Sequence, residues 1–424
     1  MMTNFWRPCA TVLLCVLPQT NHAQRPTGSP SHDVQVIRRL DGSRLGIDSA
    51  DSLARSTLTR HGVTGAQIAV VNDGRLVWSA AYGIRARGDS AALIGPRDDL
   101  PMQRTTTTWA ASITKAVFAT YVMQLVERGR FDLDTPVASQ LQQPLDAYSA
   151  YREKGRVLVT DAKWQRVTPR MLLAHTSGLP NLAFLEPDGQ LRLRGEPGAR
   201  YRYSGEGINL VQLLVEQQQG QPLDSLMQAA LLDSVGMTRT GLVFRPAFAD
   251  DIADRFGAEG QFLSKTRRNP ARAAGSMTST AEDLASFAIA LLNGKVLQPA
   301  TRAMMLTPQV RITSSAQFGP GAEVDTGGGS DEARRAGLAY GLGWGLLTRT
   351  RYGPAFFKEG HGDGAQTYLL CFARRQTCVV ILTNSDNGEF AFRALVEGLL
   401  GRVDVPWTWE GYTPAQIAEA RKHQ

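Results

Sequence analysis

Ala111-Ser112-Ile113-Thr114-Lys115 opens an apolar run that reads as a helix through Val126. A serine and a lysine three apart on a helix share one face, about one turn from each other. Alone, a serine hydroxyl keeps its proton at neutral pH and is a poor nucleophile. A neighbouring lysine can take that proton once burial or a nearby cation lowers its pKa. Ser112 in the first turn also sits near the positive end of the helix dipole, which favours developing negative charge. Because S-x-x-K occurs by chance on many surface helices, the rest of the chain decides what this pair does.

The chain has 424 residues, enough for one large domain or two interleaved ones. Its formal charge of +7 is scattered, mostly as Arg, with no Lys/Arg block interleaved with aromatics, so nucleic-acid binding is unsupported. At the N-terminus Arg7 precedes a short apolar run, Cys9 to Leu17, then polar residues ending Asn21-His22-Ala23. That layout is a cleavable secretory signal over residues 1–23, which implies a periplasmic or secreted protein. A lipid anchor at Cys15 fits less well, because Leu14 before it is not small. No later stretch of about 20 apolar residues predicts a membrane span.

Two of the four cysteines fall in the signal, leaving Cys371 and Cys378. They lie in Tyr368–Leu382, which reads as two strands joined near Arg374-Arg375, placing the cysteines opposite each other. A cross-strand disulfide and two buried thiols both remain open. No Cys or His pair has metal-ligand spacing and H-E-x-x-H is absent, so no metal is expected.

Ala66–Val71 and Arg75–Gly83 read as strands joined by Asp73-Gly74, a pair suited to the positive φ of a tight hairpin. Leu45–Arg60 carries helical periodicity, and 84–104 reads as a polar loop. Gly129 caps the Ser112 helix. In the middle, Thr168-Pro169, Gly207–Gln219, Pro222–Leu232 and the capping signature Thr280-Ala-Glu-Asp283 mark helices. Residues 314–336 are Gly-rich without periodicity and predict a long, mobile loop. Tyr340–Leu347 and Tyr368–Leu382 return to strand character, and Phe390–Leu400 reads as a closing helix. Strands at both ends with helices between them predict an α+β fold of the α/β sandwich type. Its antiparallel sheet is built from N- and C-terminal segments and flanked by helices, with a mostly helical insertion over roughly 130–270 in a domain covering 24–424.

Three more clusters can carry chemistry. Tyr201-Arg202-Tyr203-Ser204-Gly205-Glu206-Gly207 offers Tyr203, a phenol that beside an ammonium group can act as a base. Gly360-His361-Gly362-Asp363-Gly364 enters a strand where glycines admit a ligand to the backbone and a backbone N–H can face an oxyanion. His175-Thr176-Ser177-Gly178-Leu179 fits buried hydrogen bonding that fixes a loop. G-x-S-x-G is absent, which argues against an α/β-hydrolase, and no phosphate-binding glycine motif follows a strand.

In this order, S-x-x-K, Tyr-Ser-Gly and His-Gly-x-Gly, the chain resembles the β-lactamase-like serine hydrolases. That group joins class C β-lactamases, D,D-peptidases, D-aminopeptidases and certain esterases. Further blocks match in family order: Gly129–Val137, Leu172–Pro180, Val235–Thr240, Ala274–Asp283 and Tyr340–Gly345, so that the resemblance covers roughly 48–401. It implies that Ser112 is acylated, that Lys115 is its proton partner, and that Tyr203 is the base that also protonates the leaving group. It places His361 where such enzymes carry the lysine of K-T-G. It makes the N–H groups of Ser112 and Gly364 the oxyanion donors, with Gly362 beside them on the strand. Gly205 stands where the second motif commonly ends in Asn. No cofactor is implied.

These departures at Gly205 and His361 point away from an efficient β-lactamase. They favour cleavage of another ester or amide in a small-molecule or peptide-like substrate. A true β-lactamase or a D,D- or D-amino-acid peptidase is the alternative, and a silent cell-wall-ligand binder is a third reading. The sequence leaves the substrate and the oligomeric state open.

Overall fold

The Asp73-Gly74 pair adopts positive φ at both positions, as a two-residue hairpin turn requires. It joins β1 (Gly65–Asn72) to β2 (Arg75–Ala86) in a computed structural model that describes residues 36–88, 98–327 and 329–420. The segment read as a signal, residues 1–23, lies outside the described residues. Part of the segment expected to be a polar loop is strand: β2 runs to Ala86, and β3 (Leu100–Pro101) pairs with it.

Six further strands come from the C-terminal third: β4 (Val310–Arg311), β5 (Leu338–Tyr340), β6 (Gly345–Leu347), β7 (Ala355–Gly362), β8 (Ala365–Phe372) and β9 (Thr377–Thr383). Together they form a nine-stranded sheet in the order β4-β5-β6-β7-β8-β9-β1-β2-β3, antiparallel throughout. β1, β8 and β9 are buried along their whole length, which explains their continuous apolar runs: a strand covered on both faces has no solvent side to make polar. Cys371 and Cys378 face each other across β8 and β9 and are joined by a disulfide.

Helices cover both faces. α1 (Ile47–Arg60) and α5 (Glu389–Leu400) pack on one side. There Phe357, Tyr368, Leu370 and Phe372 meet Phe392 and Trp407 in one apolar core. α2 (Ile113–Glu127) and α4 (Ala281–Leu292) lie on the other, against Phe356, Leu369 and Cys371. Residues 113–125 of α2 are all buried, as befits a helix threaded between the sheet and the middle region rather than lying on a surface. α3 (Gly205–Gln219) belongs to that middle region, which also contains a two-stranded ribbon, Asp254–Phe256 with Phe262–Lys265.

Thr168 and Thr280 each accept a backbone N–H three residues on, closing the helix starts their sequences announce. Residues 314–336 differ from the expected structureless loop, carrying short helices at Pro320–Glu323 and Asp331–Ala336. The chain also continues past α5 into Trp407–Glu410 and Pro414–Ala420, so α5 does not close the fold. No described helix is long and apolar enough to cross a membrane.

Candidate active site

Ala111 precedes α2 with φ +44. That left-handed conformation is costly for a residue with a Cβ and is found where surrounding structure enforces it. It sets half-buried Ser112 at the mouth of α2. Lys115, 3% exposed, places Nζ 2.9 Å from Ser112 Oγ and also donates to the Ala274 carbonyl and to Tyr203. An ammonium has three hydrogens, so these partners fix its direction. Burial pushes the Lys115 pKa down; Tyr203 opposes the shift and Lys358 adds to it.

Tyr203 is held by its neighbour. Ser204 Oγ accepts the Gly207 N–H at 2.9 Å and donates to the Pro180 carbonyl at 2.8 Å, capping α3 and fixing the residue before it. The Tyr203 ring has Lys115 Nζ at 4.9 Å and Lys358 Nζ at 5.1 Å from its centroid. Burial alone would push its phenol up, but the two ammonium groups outweigh it and the phenol lies below its ordinary range. His175, fully buried, packs its ring 4.5 Å from Tyr203, and its Nδ1 accepts the Ser204 N–H at 3.2 Å.

The lysine on this strand corrects the assignment made for His361. Side chains alternate along β7. Lys358, Gly360 and Gly362 share the face that carries Phe356 toward α2, whereas His361 turns to the other face. There His361 Nδ1 lies 3.1 Å from Glu389 and its Nε2 3.1 Å from the Tyr412 hydroxyl. Phe318 stands between His361 and Tyr203, in edge contact with both rings. Lys358 is the strand cation beside Tyr203, and Lys358-Glu359-Gly360 reads as K-x-G. The signal was present in the sequence, three residues before the histidine chosen.

The glycines separate in the same way. A Cβ on Gly360 would lie 2.7 Å from the Ser112 nitrogen, so strand and nucleophile touch here. Gly364, expected as an oxyanion donor, sits instead in the β7–β8 turn and gives its N–H to the Asp386 carboxylate. Gly362 has the Trp109 ring 2.2 Å from where its Cβ would be, and is glycine to admit that ring.

Gly205 opens α3 and donates to Asn181 Oδ1 at 3.0 Å. A Cβ there would meet Asn181 at 3.0 Å. Asn181, Tyr203, Arg194, Arg202, Phe318 and Glu323 border a cleft of about 330 Å³. Asn181 therefore brings an amide to the side of the site where Gly205 supplies none. Sequence inspection had no means of finding it, because the two residues meet only through the fold.

Residues 317–323 roof this cleft, and the chain here is anchored from beneath. Gln317 donates its backbone N–H to the Trp409 carbonyl at 3.0 Å and its side-chain amide to Glu359. Trp409 Nε1 donates to Ser314 Oγ at 3.1 Å. No group of three or more His, Cys, Asp or Glu that could hold a metal occurs among the described residues.

The beta-lactamase family model matches residues 50–400, and the chain belongs to that family. Its members are serine hydrolases, including esterases and carboxypeptidases. Penicillin-binding protein 4 of Amycolatopsis lactamdurans is 26% identical over 365 residues, 81% of this chain and 87% of that protein. Esterase EstB of Burkholderia gladioli is 27% identical over 236 residues, 48% of this chain. The chain spans 55% of the length of that esterase, and of a beta-lactamase-like human protein as well. Among solved structures, the octameric penicillin-binding protein homologue from Pyrococcus abyssi superposes with a TM-score of 0.65 at 20% identity, covering 89% of this chain and 81% of that one.

Proposed function

We propose that this chain is a secreted or periplasmic serine hydrolase that cleaves an ester or amide bond through an acyl-Ser112 intermediate. The observation that carries the reading is the contact of Lys115 Nζ with Ser112 Oγ at 2.9 Å, with the Tyr203 phenol lying between Lys115 and a second ammonium. Ser112 Oγ attacks the carbonyl carbon, and its proton passes through the Lys115–Tyr203 pair. The carbonyl becomes an oxyanion held by the Ser112 N–H and by a backbone N–H of the Gly360–His361 stretch, the part of β7 that lies against Ser112. On collapse the bond to the leaving oxygen or nitrogen breaks and that atom takes the proton from Tyr203. Water, giving up its proton to the same pair, then releases the acid and restores Ser112. Lys358 holds the phenolate that this sequence passes through.

Two features support this compartment: the signal-like layout before Ala23, and the Cys371–Cys378 disulfide, a bond that persists in oxidising surroundings.

A β-lactamase or D,D-peptidase is the second reading, and Lys358-Glu359-Gly360 favours it by supplying the lysine that His361 does not. Fluorophosphonate labelling followed by intact-mass measurement tests the main reading. One adduct on the wild type and none on Ser112→Ala, with loss of all turnover, is expected. Retained turnover in Ser112→Ala would overturn it. A chromogenic cephalosporin set beside short-chain nitrophenyl esters and D-amino-acid amides separates the two readings.

A further inference from the structure

We propose that Glu359 sets the charge of the substrate: the leaving-group side of the cleft takes neutral esters and amides and turns away leaving groups that carry a carboxylate. The inference rests on the serine-hydrolase reading above, in which the groups beside Tyr203 face the leaving group.

Lys358 is 1% exposed and Glu359 2%. The three Nζ hydrogens of Lys358 have three partners. One is Glu359 Oε1 at 2.9 Å, the second the Glu359 carbonyl at 2.8 Å, and the third the Tyr203 phenol. An incoming carboxylate finds no hydrogen left on Lys358 and no net charge on the pair. The second oxygen, Glu359 Oε2, is buried without a partner among the described residues. An incoming carboxylate therefore meets an unsatisfied acceptor and no spare donor, in a poorly solvated place where such a mismatch costs most.

Glu359 is also locked where it stands, because the Gln317 amide of the roof segment donates to it. Rotating it away to free Lys358 would break that contact as well as the ion pair. Two arginines of the cleft also contact acids. Arg202 reaches Glu323 at 2.7 Å and Arg194 reaches Glu186 at 2.5 Å. A site meant to hold a carboxylate by charge would leave at least one of these cations unpaired. Lys358, Arg202 and Arg194 instead each contact an acid, Arg202 sharing Glu323 with Arg200, and a desolvated polar group without a counterpart for the wrong partner is an established route to specificity.

The test compares two acetate esters, of 3-hydroxybenzoic acid and of methyl 3-hydroxybenzoate. They are nearly alike in shape but differ in the charge of the leaving group. Each kcat/KM is divided by the ester's hydroxide-catalysed rate constant to remove intrinsic reactivity. For the wild type the neutral ester is expected to be preferred by about tenfold or more. Glu359→Thr, which frees the one Lys358 donor held by the carboxylate, and Glu359→Gln, which keeps the shape without the charge, should each shrink that preference by about tenfold, mostly through KM of the anionic ester. A wild type that hydrolyses both esters at equal corrected rates overturns the proposal, even if neither variant folds. So does a folded Glu359→Thr whose preference matches that of the wild type. If Ser112 still takes up the fluorophosphonate in such an experiment, the hydrolase reading stands and only the inference falls. If Ser112 is never labelled, the reading itself has failed.

Discussion

Replacing Lys358 by Gln removes one of the two ammonium groups that hold the Tyr203 phenol below its ordinary range. Charges separated by the 5.1 Å between Nζ and the ring centroid interact by about 3 kcal/mol at an effective dielectric of about 20, equivalent to about two pH units. Glu359, 2.9 Å from the same Nζ, acts on the phenol in the opposite sense, but it remains in this variant and so does not diminish the displacement. With Lys358 gone the phenolate is less favoured and the Tyr203 pKa rises. The ascending limb of kcat/KM, which reports formation of the base in the free enzyme, should therefore move to higher pH by up to about two units. A neutral fluorogenic ester followed from about pH 5 to about pH 10 spans the limb on either side of its displacement. Removing one member of a buried pair also destabilises the fold, by about 3–5 kcal/mol, so circular dichroism must show the variant folded at the assay temperature. The Lys358→Gln, Glu359→Gln double variant lifts that cost and should show a smaller upward displacement, because both charges are lost. A folded Lys358→Gln enzyme whose rate drops while its limb stays in place would refute Lys358 as the group that tunes Tyr203.

Gly360→Ala puts a Cβ 2.7 Å from the Ser112 nitrogen and 2.4 Å from Thr367 Oγ1; displacing the nucleophile by even part of that overlap should lower kcat about a hundredfold, and an unchanged kcat would disprove the contact. Asn181→Ala removes the amide beside Gly205 and should lower kcat/KM about tenfold for an amide substrate; equal rates would leave Asn181 as packing alone. His175 is held neutral well below its ordinary pKa, by burial first and then by Lys115 and Lys358, so the unfolded chain binds a proton below about pH 6.5 that the folded chain refuses. Its share of the stability is complete above that pH and is lost on acidification by up to about 1.4 kcal/mol per pH unit. Asn tolerates the φ of +57 at this position, so His175→Asn should lose less stability than the wild type between about pH 6.5 and about pH 5 in denaturant titrations. Parallel losses would contradict the buried neutral state.

Local rules in the sequence settled much of this molecule. Asp73-Gly74 dictates a hairpin, Thr168 and Thr280 dictate helix starts, and Ser112 and Lys115 are placed on one face by helical spacing alone. None of these needs a distant residue. The continuous apolar runs of β1, β8 and β9 likewise mark strands covered on both sides, and the order of motifs ties Tyr203 to Ser112. The assignments that failed depend on strand parity and on long-range contacts. His361 and Lys358 are three apart, so they point to opposite faces of β7, and only the sheet decides which face meets α2. Gly364 is an open donor in the sequence, and only the fold brings Asp386 to its N–H. Asn181 fills the space beside Gly205, and Gln317 fastens the roof to Glu359, through contacts that no spacing encodes. The sequence by itself determined that a serine is paired with a base on a helix. The tertiary structure decided which cation faces that base, and that a buried glutamate had already neutralised it.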